Sequence, residues 1–382
     1  MANRKLTDEQ KIRILSEFDT EVAEGRRYGA TKRLAEIYGV SRWTIQEITA
    51  NRSHFENLVD EFGGTIAGRS VLYDAEGKIK LQWVKSKQDS NDETIKQLIL
   101  SLTERIPALP KLKTEPPEHS SEQLLAIYPM GDPHFGMYSW AEETGNDFDL
   151  KIAERDLLDA VERLVSSAPS CKDALIVNLG DFFHADNTLG ETMRSKHKLD
   201  TDSRWFKVLQ IGLDAMITCV RLALQKHERV TVICAIGNHD DHSSMMLMHM
   251  LYRLFENEER VTIFDAPTIK HYYRFGKCLI GVHHGHTIKM DKLPMQMAID
   301  RPDEWGETRY RYWLTGHIHH DSRKEFDGVL VESFRTLAGR DAWAAQMGYR
   351  SGRDMKCILL HREFGEVERH TVSVEMLNAF RS

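Results

Sequence analysis

Ala174-Leu-Ile-Val-Asn-Leu-Gly-Asp-Phe-Phe-His184 decides the fold. Ala174 to Leu179 is a short, mostly apolar run rich in branched residues, the pattern of a strand buried on both faces. It stops at Gly180. A carboxylate directly after such a strand leaves a rigid core at the carboxyl end of the sheet, where open α/β sheets hold ligands. Asp181 is therefore a candidate metal ligand, with His184 one short turn beyond it. One such unit also describes an ordinary strand end, but this one recurs. Leu124 to Tyr128 leads into Gly131-Asp-Pro-His134, and Val230 to Ile236 into Gly237-Asn-His-Asp240. Lys277 to Val282 leads into His283-His-Gly-His286, and Tyr310 to Thr315 into Gly316-His-Ile-His-His320. Successive clusters lie roughly 30 to 60 residues apart, room for one strand-helix-strand unit each.

The rest of the chain bounds this reading. Its 382 residues allow one large core and a smaller module, since domains run to roughly 100 to 200 residues. Hydrophobic content of 41% and charged content of 29% are those of a soluble globular protein. A net charge of -7 offers no global attraction to nucleic acid, so such binding has to come from a local basic patch. The five cysteines (Cys171, Cys219, Cys234, Cys278, Cys357) show no CxxC spacing, which suits reduced, buried thiols in a cytoplasmic protein. The first thirty residues lack the apolar segment of a signal peptide, and there is no run of about 18 apolar residues, so no membrane association is expected.

Thr7-Asp-Glu-Gln10 has the form of a capping box, opening a helix with Ile12, Leu15, Phe18 and Val22 on one face. Then comes Ala30-Thr-Lys-Arg-Leu-Ala-Glu-Ile-Tyr-Gly-Val-Ser-Arg-Trp-Thr-Ile-Gln-Glu-Ile48. Ala35 permits close helix contact, Gly39 the tight turn, Ser41 caps a second helix, and Ile45 and Ile48 pack it down. That is the order of a helix-turn-helix, whose second helix offers its first residues to the major groove. Arg42, Trp43, Thr44 and Gln46 are the candidate reading residues, with Lys32 and Arg33 toward the phosphates. From Gly25 to Arg52 six basic residues face two acidic ones. The alternative is a three-helix module that binds protein or only packs.

Residues 70–73 and 78–84 flank an Asp-Ala-Glu-Gly turn and read as a β-hairpin. An amphipathic helix over about 92–106 follows, and Pro107, Pro110, Pro116 and Pro117 mark a solvated linker. The expected division is a helix-turn-helix domain (1–60), a hairpin, helix and linker (61–118), and a catalytic domain (119–382). Within the last, helices are expected near 151–166, 203–227 and 243–257. The Met-rich piece Met245-Met-Leu-Met-His-Met250 reads as core-facing helix rather than a copper box. The basic stretch Thr192-Met-Arg-Ser-Lys-His-Lys198 fits equally a solvated helix face and a hold on a polyanion.

Asp132, His134, Asp181, Asn238, His284, His317 and His319 supply only nitrogen and oxygen donors. That set suits manganese first, then iron, zinc or cobalt, better than a calcium or magnesium cage. Seven donors exceed one ion's needs, whereas two ions about 4 Å apart can share a carboxylate. Such a pair lowers the pKa of bound water toward neutrality and neutralises phosphoryl oxygens during in-line displacement.

The order Asp-x-His, Gly-Asp-x-x-His, Gly-Asn-His-Asp, His-Gly-His and Gly-His-x-His resembles the calcineurin-like metallophosphoesterase superfamily, over roughly residues 124 to 325. The resemblance implies an α/β fold, a four-layer double β-sandwich flanked by helices, preceded here by the helical module and hairpin. By motif, Asp132, His134 and His319 would hold the first metal, and Asn238, His284 and His317 the second. Asp181 would bridge them, and His239 would be the non-ligand catalytic histidine. Either His283 or His286 could replace His284, which is favoured because it precedes the motif glycine. Asp186, Asp240, His242 and His320 are expected outside the ligand set, and His227, His249, His271 and His370 to be structural or at the surface.

Serine/threonine phosphatases of this superfamily carry Gly-Asp-x-x-Asp-Arg-Gly, but His184 stands here in place of the second Asp and no Arg-Gly follows. The Gly-Asp-x-x-His form resembles the DNA double-strand-break repair nucleases, where the extra histidine helps handle the nucleic-acid backbone. Only about 60 residues follow Gly316-His-Ile-His, which leaves the cap and ATPase partner of those nucleases unsupported. The pairing with a helix-turn-helix also resembles bacteriophage and prophage proteins. The function implied is a two-metal phosphodiesterase that hydrolyses DNA with a metal-bridging hydroxide, targeted by its N-terminal module. The alternative is a cyclic-nucleotide or small phosphodiester hydrolase, or a phosphomonoesterase, with that module used only for targeting. A DNA-binding regulator with a vestigial centre is disfavoured by the intact donor set. Homo-oligomerisation is left open by the sequence.

Overall fold

Three short helices begin the chain in the computed structural model, which describes residues 6, 8–23, 30–50, 66–73, 79–86, 109, 116–117, 120–192 and 196–381. The chain divides into two units, residues 1–98 and 99–382. In the first, α1 (Asp8–Ala23), α2 (Ala30–Tyr38) and α3 (Arg42–Ala50) close on Ile14, Leu15, Leu34, Ala35, Ile45 and Ile48. Gly39 takes a φ of +65°, and the Val40 N–H reaches back to the Ala35 carbonyl at 3.0 Å, the bond that ends a helix at a left-handed residue. Ser41 caps α3, its hydroxyl accepting from the Thr44 N–H at 3.1 Å. The hairpin follows as β1 (Ile66–Tyr73) paired antiparallel with β2 (Ile79–Ser86). The proposed Thr7 cap, the hairpin turn, the helix over 92–106 and most of the proline-rich linker lie outside the described residues.

The second unit is built on two sheets. In the six-stranded one the order is β13-β12-β3-β4-β5-β6, from β3 (Ser121–Met130), β4 (Cys171–Asn178), β5 (Arg229–Cys234), β6 (Val261–Ile263), β12 (Asp354–His361) and β13 (Gly365–Ser373). β3 to β6 run parallel, and β12 and β13 antiparallel to their neighbours. The five-stranded sheet has the order β10-β11-β9-β8-β7, from β7 (His271–Phe275), β8 (Cys278–Val282), β9 (Tyr310–Thr315), β10 (Ser322–Phe326) and β11 (Val329–Ser333). The five strands expected before ligand clusters are β3, β4, β5, β8 and β9. Residues beyond 320, which carried no motif, complete both sheets.

Side-chain alternation explains why these strands read as continuous apolar runs. Leu125 and Ile127 of β3 share a core with Leu175 and Val177 of β4, Ile280 and Val282 of β8, Leu314 of β9 and Ile358 of β12. The intervening Ala126, Tyr128 and Met130 enter a second core with the helices. Both faces are thus covered, as parallel strands require, and each large side chain buried contributes roughly 1.5 to 3 kcal/mol. Those helices are α4 (Leu150–Ser167), α5 (Trp205–Leu224) and α6 (Asp241–Leu254). Asp149 caps α4 by accepting from the Ile152 N–H at 2.7 Å, and Ala153, Leu157, Ala160, Val161 and Leu164 form its buried stripe. In α6, Met245, Leu247, Met248 and Leu251 are buried, so the Met-rich piece is core.

His227 is buried between the Tyr128 hydroxyl (2.8 Å) and the Cys171 carbonyl (3.0 Å), a structural histidine as expected. All five cysteines are free and buried. Among the described residues no helix is long and apolar enough to cross a membrane.

Candidate metal centre

The loops leaving the carboxyl ends of β3, β4, β5, β8 and β9 bring the seven candidate ligands to one place. Backbone bonds zip the first two loops together: the His134 N–H donates to the Asp181 carbonyl (3.0 Å), Phe135 to Phe182 (2.7 Å) and His184 to Phe135 (2.9 Å). Asp132, His134, Asp181, His317 and His319 all have φ between +43° and +71°. L-residues rarely adopt that region, and each costs of order 1 to 3 kcal/mol. Five of the eight non-glycine residues with positive φ among those described are thus candidate ligands, which concentrates backbone strain at the site.

Two groups of donors converge. Asp132, His134 and His319 offer ligand atoms within 4.8 Å of one another, and so do Asp181, His284 and His317. In the first group His134 Nε2 lies 3.1 Å from His319 Nε2, which is 3.5 Å from Asp132 Oδ1. In the second, His284 donates from Nδ1 to the Leu179 carbonyl at 2.8 Å, which leaves Nε2 as the lone-pair nitrogen. That nitrogen faces Asp181 Oδ2 at 3.2 Å and Asn238 Oδ1 at 3.1 Å. Three acceptors converging on one point need a cation between them. Burial opposes charge on His284, yet Asp181 pushes its pKa up to about 10, so Nε2 carries a proton toward Asp181 unless a metal ion takes that place. The donor set therefore fits divalent ions on the nitrogen and oxygen preferences of manganese, iron or zinc.

His283 is spent elsewhere: its Nδ1 accepts from the Gly285 N–H and its Nε2 meets the Thr287 hydroxyl, both at 3.0 Å. His286 has its ring 5.2 Å from that of His284 and 6.1 Å from that of His317. Of the three histidines in this loop, His284 is the one that reaches Asp181.

His239 is held at two points. Its N–H donates to Asp181 Oδ1 at 2.8 Å, and its Nδ1 to the His184 carbonyl at 2.9 Å, so Nε2 is the nitrogen left for chemistry. His184 is 1% exposed, stacks on the His239 ring at 5.4 Å, and sets its Nδ1 3.2 Å from His134 Nδ1. Burial, aided by His239, pushes its pKa down to about 3, so it is neutral. His134, His184 and His239 form a third group of converging nitrogens.

Two carboxylates hold the loops rather than pointing into the site. Asp240 accepts from the N–H groups of Asp181 (3.2 Å), Phe183 (3.2 Å) and Gly237 (3.1 Å), and burial followed by the nearby Asp181 pushes its pKa up to about 8. Asp186 accepts from the His242 N–H and Nδ1 and the Ser243 N–H, each at 2.8 Å, which ties the Asp181 loop to the start of α6. Thr336 donates from its hydroxyl to the Asp132 carbonyl at 2.6 Å, a support that no sequence motif announced.

Glycine is required where backbone and carboxylate meet. Gly180 has φ +96°, and a Cβ there would lie 2.7 Å from His284 Nδ1. A Cβ on Gly237 would overlap both Oδ1 and the backbone nitrogen of Asp181 and lie 2.6 Å from Asp240 Oδ1. Gly237→Ala is therefore expected to destabilise the protein by about 2 kcal/mol or more and to lower its metal stoichiometry. Melting temperature and elemental analysis of the manganese-loaded variant measure both, and wild-type values in each would refute the close approach.

In the first unit Lys32, Arg42 and Gln46 are exposed and Arg33 and Thr44 half-buried, while the side chain of Trp43 lies outside the described residues. The Arg42 Nε donates to Thr31 Oγ1 at 3.2 Å, tying α3 to α2.

A family model described as calcineurin-like phosphoesterase matches residues 126–359, which include every ligand-bearing loop. Similar solved structures include a dimetal phosphatase from Danio rerio, at 8% identity over 65% of this chain and 98% of that one, with a TM-score of 0.37. A novel archaeal phosphodiesterase matches at 14% identity over 65% and 99%, TM-score 0.33. A putative 5′-nucleotidase from Staphylococcus aureus matches at 14% over 66% and 54%, TM-score 0.35. No curated protein matches the chain. Since the family match takes in well over half of its length, this chain belongs to the calcineurin-like phosphoesterases.

Proposed function

We propose that this metal-dependent phosphoesterase is a DNA phosphodiesterase of the cytoplasm, targeted to duplex DNA by its three N-terminal helices. The observation that carries the catalytic half is the convergence of His284 Nε2, Asp181 Oδ2 and Asn238 Oδ1 beside the Asp132, His134 and His319 group. Asp132, His134 and His319 would hold one ion, Asn238, His284 and His317 the other, and Asp181 would serve both. When bound, such a pair supplies Lewis acidity that acidifies water and neutralises phosphoryl charge. His239, with Nδ1 committed to the His184 carbonyl, presents Nε2 to protonate the leaving oxygen. His184 would orient two partners at once, accepting at Nδ1 from His134 and at its carbonyl from His239. We read the two sheets and the helices outside them as the four layers of a double β-sandwich.

The DNA half is supported by the order of α2, the Gly39 turn and the Ser41-capped α3, which is that of a helix-turn-helix with Arg42, Thr44 and Gln46 at the start of the reading helix. Duplex affinity is expected to fall with salt, and Lys32→Ala with Arg42→Ala to flatten that slope by about one unit for each phosphate no longer neutralised. Fluorescence anisotropy across a salt series measures this; binding that is absent or indifferent to salt would remove the DNA module. Activity is tested by manganese-dependent nucleotide release from labelled single- and double-stranded DNA beside a cyclic dinucleotide and bis(p-nitrophenyl) phosphate. DNA hydrolysis is the expected result, and cleavage of the small diesters with DNA untouched would make the enzyme a small-diester hydrolase.

A further inference from the structure

The motifs leave one feature of the catalytic unit unused, a group of solvent-facing aromatic rings carried by two segments bonded to the ligand loops. Trp343, on a short helix (Ala342–Gln346), is 49% exposed, and Tyr349, just past the turn at Gly348 (φ +77°), is 57% exposed. Their ring centroids lie 5.6 Å apart, and the exposed His197 meets Trp343 edge-on at 6.2 Å. Arg340 fixes the arrangement by donating from Nη2 to the Thr144 carbonyl at 2.7 Å and from Nη1 toward that of Tyr349 at 3.4 Å. Rings this exposed, yet held by the backbone, form a preorganised surface rather than a frayed end.

Both segments are tied by hydrogen bonds to the loops that carry candidate ligands. Seven residues before Trp343, Thr336 bonds the Asp132 carbonyl, and three residues after His197, the Asp200 carbonyl accepts from Tyr138 at 2.9 Å, four residues beyond His134. The same two segments carry cations next to the rings in sequence: Arg350 is exposed, and Lys196 and Lys198 reach Glu191 at 3.6 and 3.2 Å while their side chains remain 56% and 74% exposed. That trio keeps one net positive charge. The acids of these segments lie apart from the lysines in sequence: Glu142 and Glu143 on the helix Ala141–Thr144, Asp341 capping the Trp343 helix through the Ala344 N–H, and Asp200 beyond Lys198.

We propose that Trp343, Tyr349 and His197 are a stacking platform for the bases of single-stranded DNA beside the metal centre, with Lys196, Lys198 and Arg350 along its backbone. The inference deepens the phosphodiesterase reading by naming the strand state of the substrate, and it rests on that reading. Every base has a face that stacks on an aromatic ring, which suits a site that cleaves without reading sequence, and only an unpaired strand exposes those faces. Duplex recognition would belong to the first unit, and only unpaired bases would engage this surface.

The test uses the full chain in EDTA, where nothing is cleaved, and the anisotropy of a fluorescein-labelled oligothymidylate of about 20 nucleotides, long enough for any single site of this kind. Trp343→Ala with Tyr349→Ala is expected to weaken its binding about 10- to 100-fold while duplex affinity and melting temperature stay at wild-type values. Because the N-terminal module is the same in both proteins, its own contribution cancels in the difference. Trp343→Phe is expected to restore most of the affinity, and Lys196→Glu with Lys198→Glu to weaken it at low salt, so the result does not hang on one variant's folding. Oligothymidylate affinity unchanged in both the aromatic and the lysine variants would overturn the platform, as would a loss shared equally with the duplex. Capture of a protein in place of the oligonucleotide would do the same. Failure of the wild type to hydrolyse any diester with manganese would instead overturn the catalytic reading and leave the binding result standing.

Discussion

Asp181→Asn is expected to yield a folded protein that holds fewer than two ions per chain and turns over phosphodiesters at least about 1,000-fold more slowly. Two-ion catalysis supplies several kcal/mol, and each factor of ten is about 1.4 kcal/mol. The substitution is chosen for what it keeps. Asparagine tolerates the left-handed φ of +49° found at this position. Its amide oxygen can still accept the His239 N–H now received by Oδ1. Its amide nitrogen can donate to His284 Nε2, the lone pair that Asp181 Oδ2 faces at 3.2 Å. Every neighbour therefore keeps a partner, and only the negative charge is removed. Metal content by elemental analysis and manganese-dependent hydrolysis of bis(p-nitrophenyl) phosphate are the measurements. Full occupancy and full turnover in the variant would end the two-metal account.

His239→Ala is expected to separate chemistry from metal binding. Both ions should remain, because no donor in the Asp132 or His284 groups is touched, while kcat falls by roughly 100- to 10,000-fold, the usual worth of a positioned proton donor. The size of the loss should depend on the leaving group. A nitrophenolate departs without help, so bis(p-nitrophenyl) phosphate should lose less than a dinucleotide whose sugar alkoxide needs the proton from Nε2. Equal losses on the two substrates, or a fall in metal content, would move His239 from acid to scaffold. The parallel variant His184→Ala removes the ring stacked on His239 but keeps the carbonyl that accepts from it. It should therefore cost less than His239→Ala on the dinucleotide.

Much of this centre was written locally. An apolar run followed by Gly-Asp or Gly-Asn-His is a strand and its turn whatever the remainder of the chain does, because burial pattern and the need for glycine at a crowded turn act over a few residues, and its fivefold recurrence is what marked the polar residue as a candidate ligand. The five strands β3, β4, β5, β8 and β9 were identifiable on those grounds, as were α4 to α6 between them and the Ser41-capped α3 of the first unit. The seven candidate donors were legible as a set, and the structure brings their loops to one place.

The tertiary structure decided what depends on distant partners. β12 inserts between β3 and β13, pairing Ile358 with Ile127 across most of the catalytic unit, and no sequence motif announces that pairing. The choice of His284 over His283 came from the Leu179 carbonyl and the Asp181 carboxylate, which belong to another loop. The inward place of His184, the grip of Asp240 on the Asp181 and Phe183 N–H groups, and the left-handed φ of five candidate ligands likewise come with contacts between segments remote in sequence. Residue types determine which atoms are offered to a metal. The angle at which each is offered costs strain, and only the packed sheets and their interlocked loops supply the energy to hold it.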